Sequence, residues 1–354
     1  MSKRIGWLAT TMAGALLIAA CGGGSTGGAT TAPSASAAAD PNVLPKPELS
    51  TIRIGISTPN EPVQFAEKLA DVLGYYQKYG LTATVTGFEG DGKTLQALVA
   101  GQLDMMVGGS STTVNSVVTD TPVTIVAMNS TTLDDGLFCT SAIKTAADVK
   151  GKTVAVSTFG GTSHGSALLL LKGLNLTAKD ATITQVGNEG TRIAALKGGS
   201  VGCAVVGISQ KAALTALGLN VVFDLSTAKL QWGRSGLMAR NDFIAKNPNT
   251  VLAVVAATLL AQNQMWADTA TATAKFADFA QVKPDAAKTA VDAFLGYGTR
   301  SMMFTADALL APRDVLATVN PAVANVDVTK AMDLSFLNKL KDRGFYAANK
   351  IPLN

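Results

Sequence analysis

The sequence has few of the residues that build metal centres. It contains one histidine, His164, and three cysteines, Cys21, Cys139 and Cys203, and neither a CxxC nor an HExxH motif occurs. This pattern offers no metal site, and we expect no cofactor. Cys139 and Cys203 lie in apolar, strand-like runs, where cysteines are more often plain buried residues. We therefore expect buried thiols, with a disulfide as the alternative outside the cytoplasm.

Charge is also scarce and nearly balanced. The chain carries 29 Lys and Arg residues against 25 Asp and Glu residues, a formal net charge of +4. Removal of Lys3 and Arg4 with the amino-terminal segment would leave 27 − 25 = +2. No basic block remains, which argues against nucleic acid as a partner. The remaining length predicts two domain-sized units with large apolar cores.

The amino terminus has the order of a bacterial lipoprotein signal. A basic start is followed by an apolar run from Ile5 to Ala20 and then by Cys21. Glycine and threonine interrupt the run, which is short for a bilayer span of roughly 20 apolar residues. The residues LIAAC at 17–21 resemble a lipobox, which implies a signal peptide over 1–20 and a lipid anchor on Cys21. The alternative is an ordinary secretory signal with a chance cysteine.

Residues 21–49 have the composition of a flexible tether. Small and polar residues dominate, and large apolar side chains are almost absent. Such a segment cannot bury enough surface to offset its ordering entropy. Pro41, Pro45 and Pro47 stiffen its second half. We expect a lipidated Cys21 and a linker ahead of the folded part.

From residue 50 the pattern alternates between strands and helices. Ile52–Ile56 predicts a strand, and a helix is predicted from about Glu61 to Lys78 with Asn60 as its N-cap. Further strands are predicted at 81–86, 103–107, 153–156, 181–186, 202–206 and 220–223, with helices between them. This alternation predicts an α/β fold of mainly parallel sheets flanked by helices.

Two segments of the chain resemble each other at a constant shift. Residues 94–108 align with residues 192–206, a shift of 192 − 94 = 98. In each, a helix ends near a glycine that can take the left-handed conformation, and an apolar strand follows. Met105 and Met106 in the first strand are predicted core residues. The repeat predicts two similar lobes, with chance as the alternative because the pattern is common in open α/β sheets.

Four stretches give the chain a more specific resemblance: ADVLGYYQKYGL at 70–81, LVAGQLD at 98–104, VKGKTVAV at 149–156 and ARNDFIAKNP at 239–248. Residues 51 to about 245 resemble type II periplasmic solute-binding proteins. The most similar group is the family that binds nitrate, taurine, alkanesulfonates and thiamine-pyrimidine precursors.

The resemblance implies two α/β lobes joined by two hinge strands. Lobe 1 would comprise residues 50–136 and 237–354, and lobe 2 residues 137–236. The segments at 134–137 and 233–236 would be the hinges, since a few residues with glycine can absorb a backbone rotation. Ordinary surface turns are the alternative.

The expected ligand site follows from strand polarity. Open α/β sheets bind ligands beyond the carboxyl ends of their strands, where helix starts present unpaired N–H groups. From lobe 1 we expect ligand contacts by Ser57, Thr58, Asn60, Gly90, Asp91, Ser110 and Ser111. From lobe 2 we expect Thr158, Phe159, Gly160, Gly161, Thr162, Ser163, His164, Asn188 and Ser209. The loop at 157–164 is the strongest single candidate, and a plain helix cap is its alternative role.

Few charged or aromatic residues belong to this expected site. Arg234 could bind a carboxylate or sulfonate with paired donors, although such an arginine more often pairs with a surface acid. Trp232 and Phe159 could stack on a planar ligand, with core packing or exposure as the commoner roles. Arg192 is expected at a solvated helix position. His164 could hydrogen-bond a ligand as a neutral imidazole.

The resemblance implies capture and delivery without chemistry. A membrane-anchored, extracytoplasmic monomer would close on a small polar solute, either a sulfonate-, nitrate- or taurine-like anion or a pyrimidine-like heterocycle. The closed form would dock on an ABC permease, whose ATPase does the energetic work. The alternatives are an enzyme on the same fold, like the pyrimidine-precursor synthases that this family resembles, and a sensory lipoprotein. A single histidine and no evident nucleophile–base pair argue against the enzyme.

Overall fold

The structure is a computed structural model that describes residues 40–120, 122–228 and 230–353. The predicted signal peptide, Cys21 and the tether up to residue 39 lie outside these residues, so they stay predictions. The described part is built around two five-stranded sheets.

The first sheet combines parallel and antiparallel strands. It contains β1 (Thr51–Ile56), β2 (Thr82–Gly87), β3 (Met105–Gly108), β4 (Val123–Thr132) and β10 (Gln231–Arg240). The order is β2-β1-β3-β10-β4, in which β1 pairs parallel with β2 and β3, and β10 runs antiparallel to β3 and β4. The inner strand β3 is a fully buried apolar run, whereas the edge strand β2 alternates between threonine and small apolar residues and is largely exposed.

The second sheet repeats this arrangement. It contains β5 (Asp135–Cys139), β6 (Thr153–Val156), β7 (Thr182–Gln185), β8 (Cys203–Gly207) and β9 (Asn220–Asp224). The order is β7-β6-β8-β5-β9, with β6 parallel to β7 and β8, and β5 antiparallel to β8 and β9. We call the half around the first sheet lobe 1 and the half around the second sheet lobe 2.

Helices connect and flank the strands. Those before β10 are α1 (Ala66–Val72), α2 (Tyr75–Lys78), α3 (Asp91–Val99), α4 (Ser110–Ser116), α5 (Ala146–Val149), α6 (Thr162–Gly173), α7 (Glu189–Lys197) and α8 (Lys211–Ala216). Those after it are α9 (Asn241–Lys246), α10 (Pro248–Ala267), α11 (Thr269–Ala280), α12 (Pro284–Leu295), α13 (Asp307–Leu316), α14 (Ser335–Asp342) and α15 (Phe345–Ala348). Short 3₁₀ turns lie at Pro62–Gln64, Ile208–Gln210, Pro321–Val323 and Val328–Ala331.

Helix α10 forms the centre of the lobe 1 helical layer. Among the described residues it alone has the length and hydropathy of a membrane span, and 83% of that window is buried inside the fold. It packs on α1, α2 and α11. An apolar helix whose whole circumference is covered is a core helix of a globular domain.

The internal repeat is visible in the two sheets. Helix α3 starts at Asp91 and α7 at Glu189, and the strands that follow begin at Met105 and Cys203, so the shift of 98 persists through both units. Each predicted strand is present with bounds within two residues, whereas the long strand β4 was not predicted. Met105 and Met106 are fully buried, which confirms their predicted core role.

The chain passes between the sheets twice. β4 ends at Thr132 in the first sheet and β5 begins at Asp135 in the second. β9 ends at Asp224, and β10 pairs with β4 from Gln231 onward. The sheets thus change a few residues before the predicted lobe boundaries at 136/137 and 236/237, and the hinge role of these crossings stays a prediction.

The predicted helix over 61–78 is wrong as a single element. A 3₁₀ turn at Pro62–Gln64 precedes α1, and α2 follows Gly74, whose φ of +74° interrupts the helix. Glycine takes this left-handed conformation without the steric cost of a Cβ. Asn60 is not an N-cap, because the turn is preceded by Glu61, which makes no side-chain capping bond.

The expectation of two free thiols is also wrong. Cys139 on β5 and Cys203 on β8 form a disulfide, with their Cα atoms 4.0 Å apart. They are direct partners in the antiparallel register of the two strands, which brings opposite Cβ atoms close. The sequence did not show this register, because 64 residues separate the two cysteines.

Candidate functional site

The starts of four helices meet where the two lobes face each other. Helices α3 and α4 follow strands β2 and β3 of lobe 1, and α6 and α7 follow β6 and β7 of lobe 2. Hydrogen bonds cross between the lobes here. Gly92 N donates to Thr158 Oγ1 at 3.0 Å, and Asn115 Nδ2 donates to the Gly160 carbonyl at 3.0 Å. The structure therefore shows the lobes in contact along the carboxyl ends of their parallel strands.

A polar crevice remains open at one side of this contact. Its volume is about 390 Å³. It is lined by Gly92, Lys93 and Gln96 of lobe 1 and by Ser157, Thr158, Phe159, Gln185, Val186 and Gly187 of lobe 2. We call this space the interlobe crevice. Two predicted site residues, Thr158 and Phe159, line it together with Ser157 of the same predicted loop.

Asp91 joins the two lobes through one buried carboxylate. Its oxygens accept hydrogen bonds from Ser57 Oγ at 2.5 Å and Thr112 Oγ1 at 3.1 Å in lobe 1. From lobe 2 they accept the Thr162 backbone N–H at 2.9 Å and the Thr162 hydroxyl at 2.9 Å. Thr162 is the first residue of α6, whose N-cap, Gly161, offers no side chain. A lobe 1 carboxylate thus satisfies the start of a lobe 2 helix.

Arg234 on β10 holds a second buried cluster. Its guanidinium contacts Glu61 at 2.5 Å, Asp134 at 2.7 Å and Asp135 at 3.6 Å, and all four side chains are less than a tenth exposed. Asp135 in turn accepts a hydrogen bond from Ser166 of α6. The arginine pairs with three buried acids, not with the surface acid that sequence reasoning offered as the alternative to a ligand.

Glu189 and Arg192 at the start of α7 extend this cluster. Glu189 Oε2 accepts the Gly207 N–H at 2.7 Å, and Arg192 donates to the carbonyls of Val205 and Gly187 at 2.8 and 2.9 Å. Arg192 is 3% exposed, so its predicted solvated position is wrong. Strand β8 packs against α7 and buries the Arg192 guanidinium. The buried N–H groups of Arg192 bond to backbone carbonyls instead of water.

Burial shifts the charge equilibria in the cluster. Desolvation is the main cause that raises the pKa of Glu61 to about 8. Arg234 lowers this pKa only in part, and the nearby acids Glu189 and Asp134 raise it further. Desolvation also raises the pKa of Glu189. Burial disfavours the Arg234 cation, yet Asp135, Glu61 and Asp134 outweigh it and raise the pKa of Arg234 well above its ordinary value. The arginine stays charged, whereas Glu61 holds a proton near neutral pH.

Several buried polar atoms beside the clusters have no hydrogen-bond partner within the described chain. They are Thr58 Oγ1, Ser111 Oγ, Trp232 Nε1 and Ser235 Oγ. Ser111 and Trp232 adjoin the first turn of α6: a Cβ on Gly165 would lie 2.6 Å from Trp232 Cζ2 and 2.9 Å from Ser111 Oγ. Buried donors without partners are costly and rare, so they mark a place where a ligand could bind.

The structure distributes the other predicted site residues around the contact. Ser110 Oγ donates to the Gly233 carbonyl, and a Cβ on Gly90 would meet Ser157 of the other lobe at 2.8 Å. Ser163 Oγ accepts the Ser157 N–H at 2.8 Å. Asn188 caps α7 by accepting the Thr191 N–H at 3.0 Å, which is a structural role.

The two aromatic candidates have different surroundings. Trp232 is fully buried against α6, whereas Phe159 is 53% exposed at the interlobe crevice. The rings of Phe159 and His164 meet edge to face, with centroids 5.3 Å apart. Burial lowers the pKa of His164, and its Nδ1 accepts the Gly160 N–H at 3.1 Å. His164 therefore orders the loop as a neutral imidazole.

Asn60 and Ser209 lie at the margins of the site. Asn60 Nδ2 is 3.9 Å from the position of a Cβ on Gly190, at the start of α7. Ser209 Oγ is 3.7 Å from the corresponding position on Gly207. Asn60 therefore lies next to the start of α7, and Ser209 lies next to the end of β8.

Sequence reasoning missed most of the acids. Its site residues did not include Gln64, Thr112, Asn115, Glu61, Asp134, Asp135 or Ser166. Glu189 belongs to the predicted segment 187–189 at the end of β7, and it aligns with Asp91 at the repeat shift of 98. Asp134 and Asp135 lay in a segment predicted as a hinge. Gln64, which accepts the Ser57 N–H at 2.7 Å, had no signal because apolar residues surround it in the sequence.

Comparisons with known proteins agree with this architecture. A family model described as NMT1/THI5 like matches residues 65–272, more than half of the chain. A comparison with curated protein sequences finds no match.

Three solved structures illustrate the fold. The alkanesulfonate-binding protein SsuA of Xanthomonas axonopodis pv. citri, bound to MOPS, is 19% identical with a TM-score of 0.66, covering 81% of this chain and 99% of its own. The periplasmic nitrate-binding protein NrtA of Synechocystis PCC 6803 is 18% identical with a TM-score of 0.66, covering 88% and 93%. The desulfurization enzyme DSZB is 17% identical with a TM-score of 0.60, covering 83% and 99%. These similarities confirm the predicted two-lobed periplasmic-binding-protein fold.

Proposed function

Because the chain belongs to the NMT1/THI5-like family, we propose that it is an extracytoplasmic solute-binding protein, lipid-anchored through Cys21. It captures a small polar solute between its lobes and delivers it to an ABC permease and its ATPase. The protein acts as a monomer and performs no chemistry on the solute.

The lobe-to-lobe contact is the observation that supports this proposal best. Two sheets of the same strand order face each other with the carboxyl ends of their parallel strands, the position where open α/β sheets bind ligands. Buried polar atoms without partners adjoin that contact. A solute that bonds to both lobes favours closure by the difference of its affinities for the closed and open forms.

The test begins with the protein isolated under native conditions from its host membrane. Denaturation should release one small molecule, which mass spectrometry identifies. Its return to the emptied protein should raise the Tm by an amount that grows with its concentration. Replacing Trp232 by Phe removes one unpartnered N–H donor and should weaken binding about fivefold, the equivalent of about 1 kcal/mol. Trp266→Phe, outside the contact, is the matched control. Equal binding by the two variants would count against a site at Trp232.

The lipid anchor has a separate test. Cys21→Ser should abolish acylation and release the protein from the membrane fraction, while the solute affinity stays unchanged. A Cys21→Ser protein that remains tightly bound to the membrane contradicts the anchor but not solute binding.

An enzyme is the second candidate, because the fold also occurs in the desulfurization enzyme DSZB. The distinction is whether the bound compound changes. If prolonged incubation with the purified protein converts the released compound into a product, the binding-only role is wrong. If the compound is recovered intact, the proposed function stands.

A further inference from the structure

The start of α6 is the position in this site where an anionic group of a solute would be expected to bind, but the Asp91 carboxylate already occupies it. A helix start attracts negative charge through its free N–H groups and its dipole. Here the Asp91 carboxylate accepts both the backbone N–H and the hydroxyl of Thr162. Two lobe 1 hydroxyls, from Ser57 and Thr112, complete its hydrogen bonds. A sulfonate or nitrate at this place would have to displace a carboxylate that is already fully bonded.

The neighbouring cluster contains more acids than bases. Glu61, Asp134, Asp135 and Glu189 face Arg234 and Arg192, which leaves an excess of 4 − 2 = 2 carboxyl groups. Arg192 donates hydrogen bonds to two backbone carbonyls, those of Val205 and Gly187. Glu189 and Asp134 approach each other across Gly207, with oxygens 3.3 and 3.5 Å from the position of a Cβ there. Without a ligand a proton on Glu61 reduces this excess of negative charge, and a bound cation would replace the proton and pair with the carboxylate.

Unpartnered donors independently point to a ligand at the same contact. Trp232 and Arg234 are two residues apart on β10, and both approach lobe 2, Trp232 at Gly165 of α6 and Arg234 at Asp135. The Trp232 Nε1 and the Ser111 hydroxyl are fully buried there without a partner. An indole N–H can only donate, so the group that pairs with it must accept a hydrogen bond.

We propose that the solute carries a cationic nitrogen group, a protonated amine or amidine, which binds among Glu61, Asp134 and Glu189, and an acceptor atom that pairs with Trp232 Nε1. This inference rests on the proposed function and narrows it to one class of solute. The solute enters when the lobes separate and is enclosed when they close. Asp91 acts as an internal anion that keeps anionic groups away from α6.

The test compares ring compounds of similar shape and opposite charge on the full chain in detergent. Benzamidine provides the amidinium group, and benzenesulfonate and benzoate provide the anions. Each is titrated to about 10 mM while the Tm is measured, because a ligand that binds only the folded state raises the Tm. Benzamidine should raise the Tm in a concentration-dependent manner, and both anions should leave it unchanged.

A pair of glutamine variants locates the effect. Glu61→Gln removes a carboxylate of the cluster and should weaken benzamidine binding at least tenfold. Glu67→Gln makes the same change at a fully buried glutamate of α1 that is hydrogen-bonded by Asn129 in lobe 1, and it should leave the affinity unchanged. Both variants keep the side-chain shape, and a cooperative unfolding transition of each will verify that it is folded.

The outcomes separate this inference from the function on which it rests. Stabilisation by benzenesulfonate or benzoate without stabilisation by benzamidine overturns the cationic class and leaves solute binding intact. Equal benzamidine affinity in the two variants overturns the placement at Glu61. If neither cation nor anion binds and the native protein releases no small molecule on denaturation, both the inference and the proposed function are wrong.

Discussion

The two lobes share one strand order but use the first acid of equivalent helices differently. Asp91 starts α3 in lobe 1 and Glu189 starts α7 in lobe 2, 98 residues later. Asp91 reaches across the contact to Thr162 of the other lobe, whereas Glu189 accepts Gly207 N–H within its own lobe. A repeated fold thus places one acid to hold the lobes together and the other to order a strand end.

The lobes also contain different buried features that affect their stability. Lobe 2 is small and has a disulfide between its central strands. Lobe 1 has a larger helical layer and buries Glu67, whose carboxylate is hydrogen-bonded by Asn129. Removing each feature in turn should therefore affect one lobe and spare the other.

The largest effect is expected from the disulfide. Replacing Cys139 and Cys203 by alanine frees a loop of 64 residues in the unfolded chain, which should destabilise lobe 2 by about 4 kcal/mol. Hydrogen exchange should accelerate at β5 and β8 and remain unchanged at β1 and β3. The wild-type protein treated with a reductant is the control and should show the same acceleration, because its disulfide is opened without a substitution. Equal acceleration in both sheets would show that the lobes unfold as one unit.

Glu67 should give lobe 1 a pH dependence. Desolvation raises its pKa from 4.5 to about 7, so the folded state binds more protons than the unfolded state between these values. The stability contribution of this group is full below pH 4.5 and is lost as the pH rises through 7. At pH 8, Glu67→Gln should be more stable than the wild type by up to about 3 kcal/mol.

Urea unfolding at several pH values measures this difference. Exposed Glu89→Gln is the control and should change the stability by less than about 0.5 kcal/mol at every pH. A Glu67→Gln protein with the same pH profile as the wild type would mean that the carboxylate is solvated in the folded state.

Asp91 and Glu189 provide the direct test of the comparison. Asp91→Asn loses a charge-assisted bond between the lobes and should weaken closure by about 2 kcal/mol. The Thr162 amide, bonded to Asp91, should exchange about 30-fold faster, and X-ray scattering should show a larger radius. Glu189→Gln should leave the exchange of Thr162 unchanged. Equal effects from both variants would refute the division of roles.

The smallest difference is expected at the two helix caps. Asn188 caps α7 with its side chain, so Asn188→Ala should destabilise lobe 2 by about 1 kcal/mol. Gly90 precedes α3 with a φ of +108°, and its Cβ would lie 2.8 Å from Ser157 of lobe 2. Gly90→Ala should therefore also loosen closure, which scattering detects, whereas Asn188→Ala should not.

The sequence predicted the local elements well and the buried contacts poorly. The strands from 51 to 56 and from 153 to 156 followed from short apolar runs next to turn residues, which is a local signal. Gly74, which interrupts the helix predicted over 61–78, also had a local signal, but the apolar pattern continued through it. Arg192 looked solvated because the carbonyls that accept its hydrogen bonds, those of Val205 on β8 and Gly187, come next to its side chain only in the folded lobe.

The amino-acid sequence by itself determined the α/β alternation, the repeat at a shift of 98, and the family. These depend on neighbours in the chain, which a pattern of residues records directly. Only the tertiary structure decided the disulfide and the partner of each buried charge. Asp91 and Thr162 are 71 positions apart, and Arg234 and Glu61 are 173 apart. Such pairs exist because folded strands and helices bring distant residues into one dry contact, where an unpaired charge would be too costly.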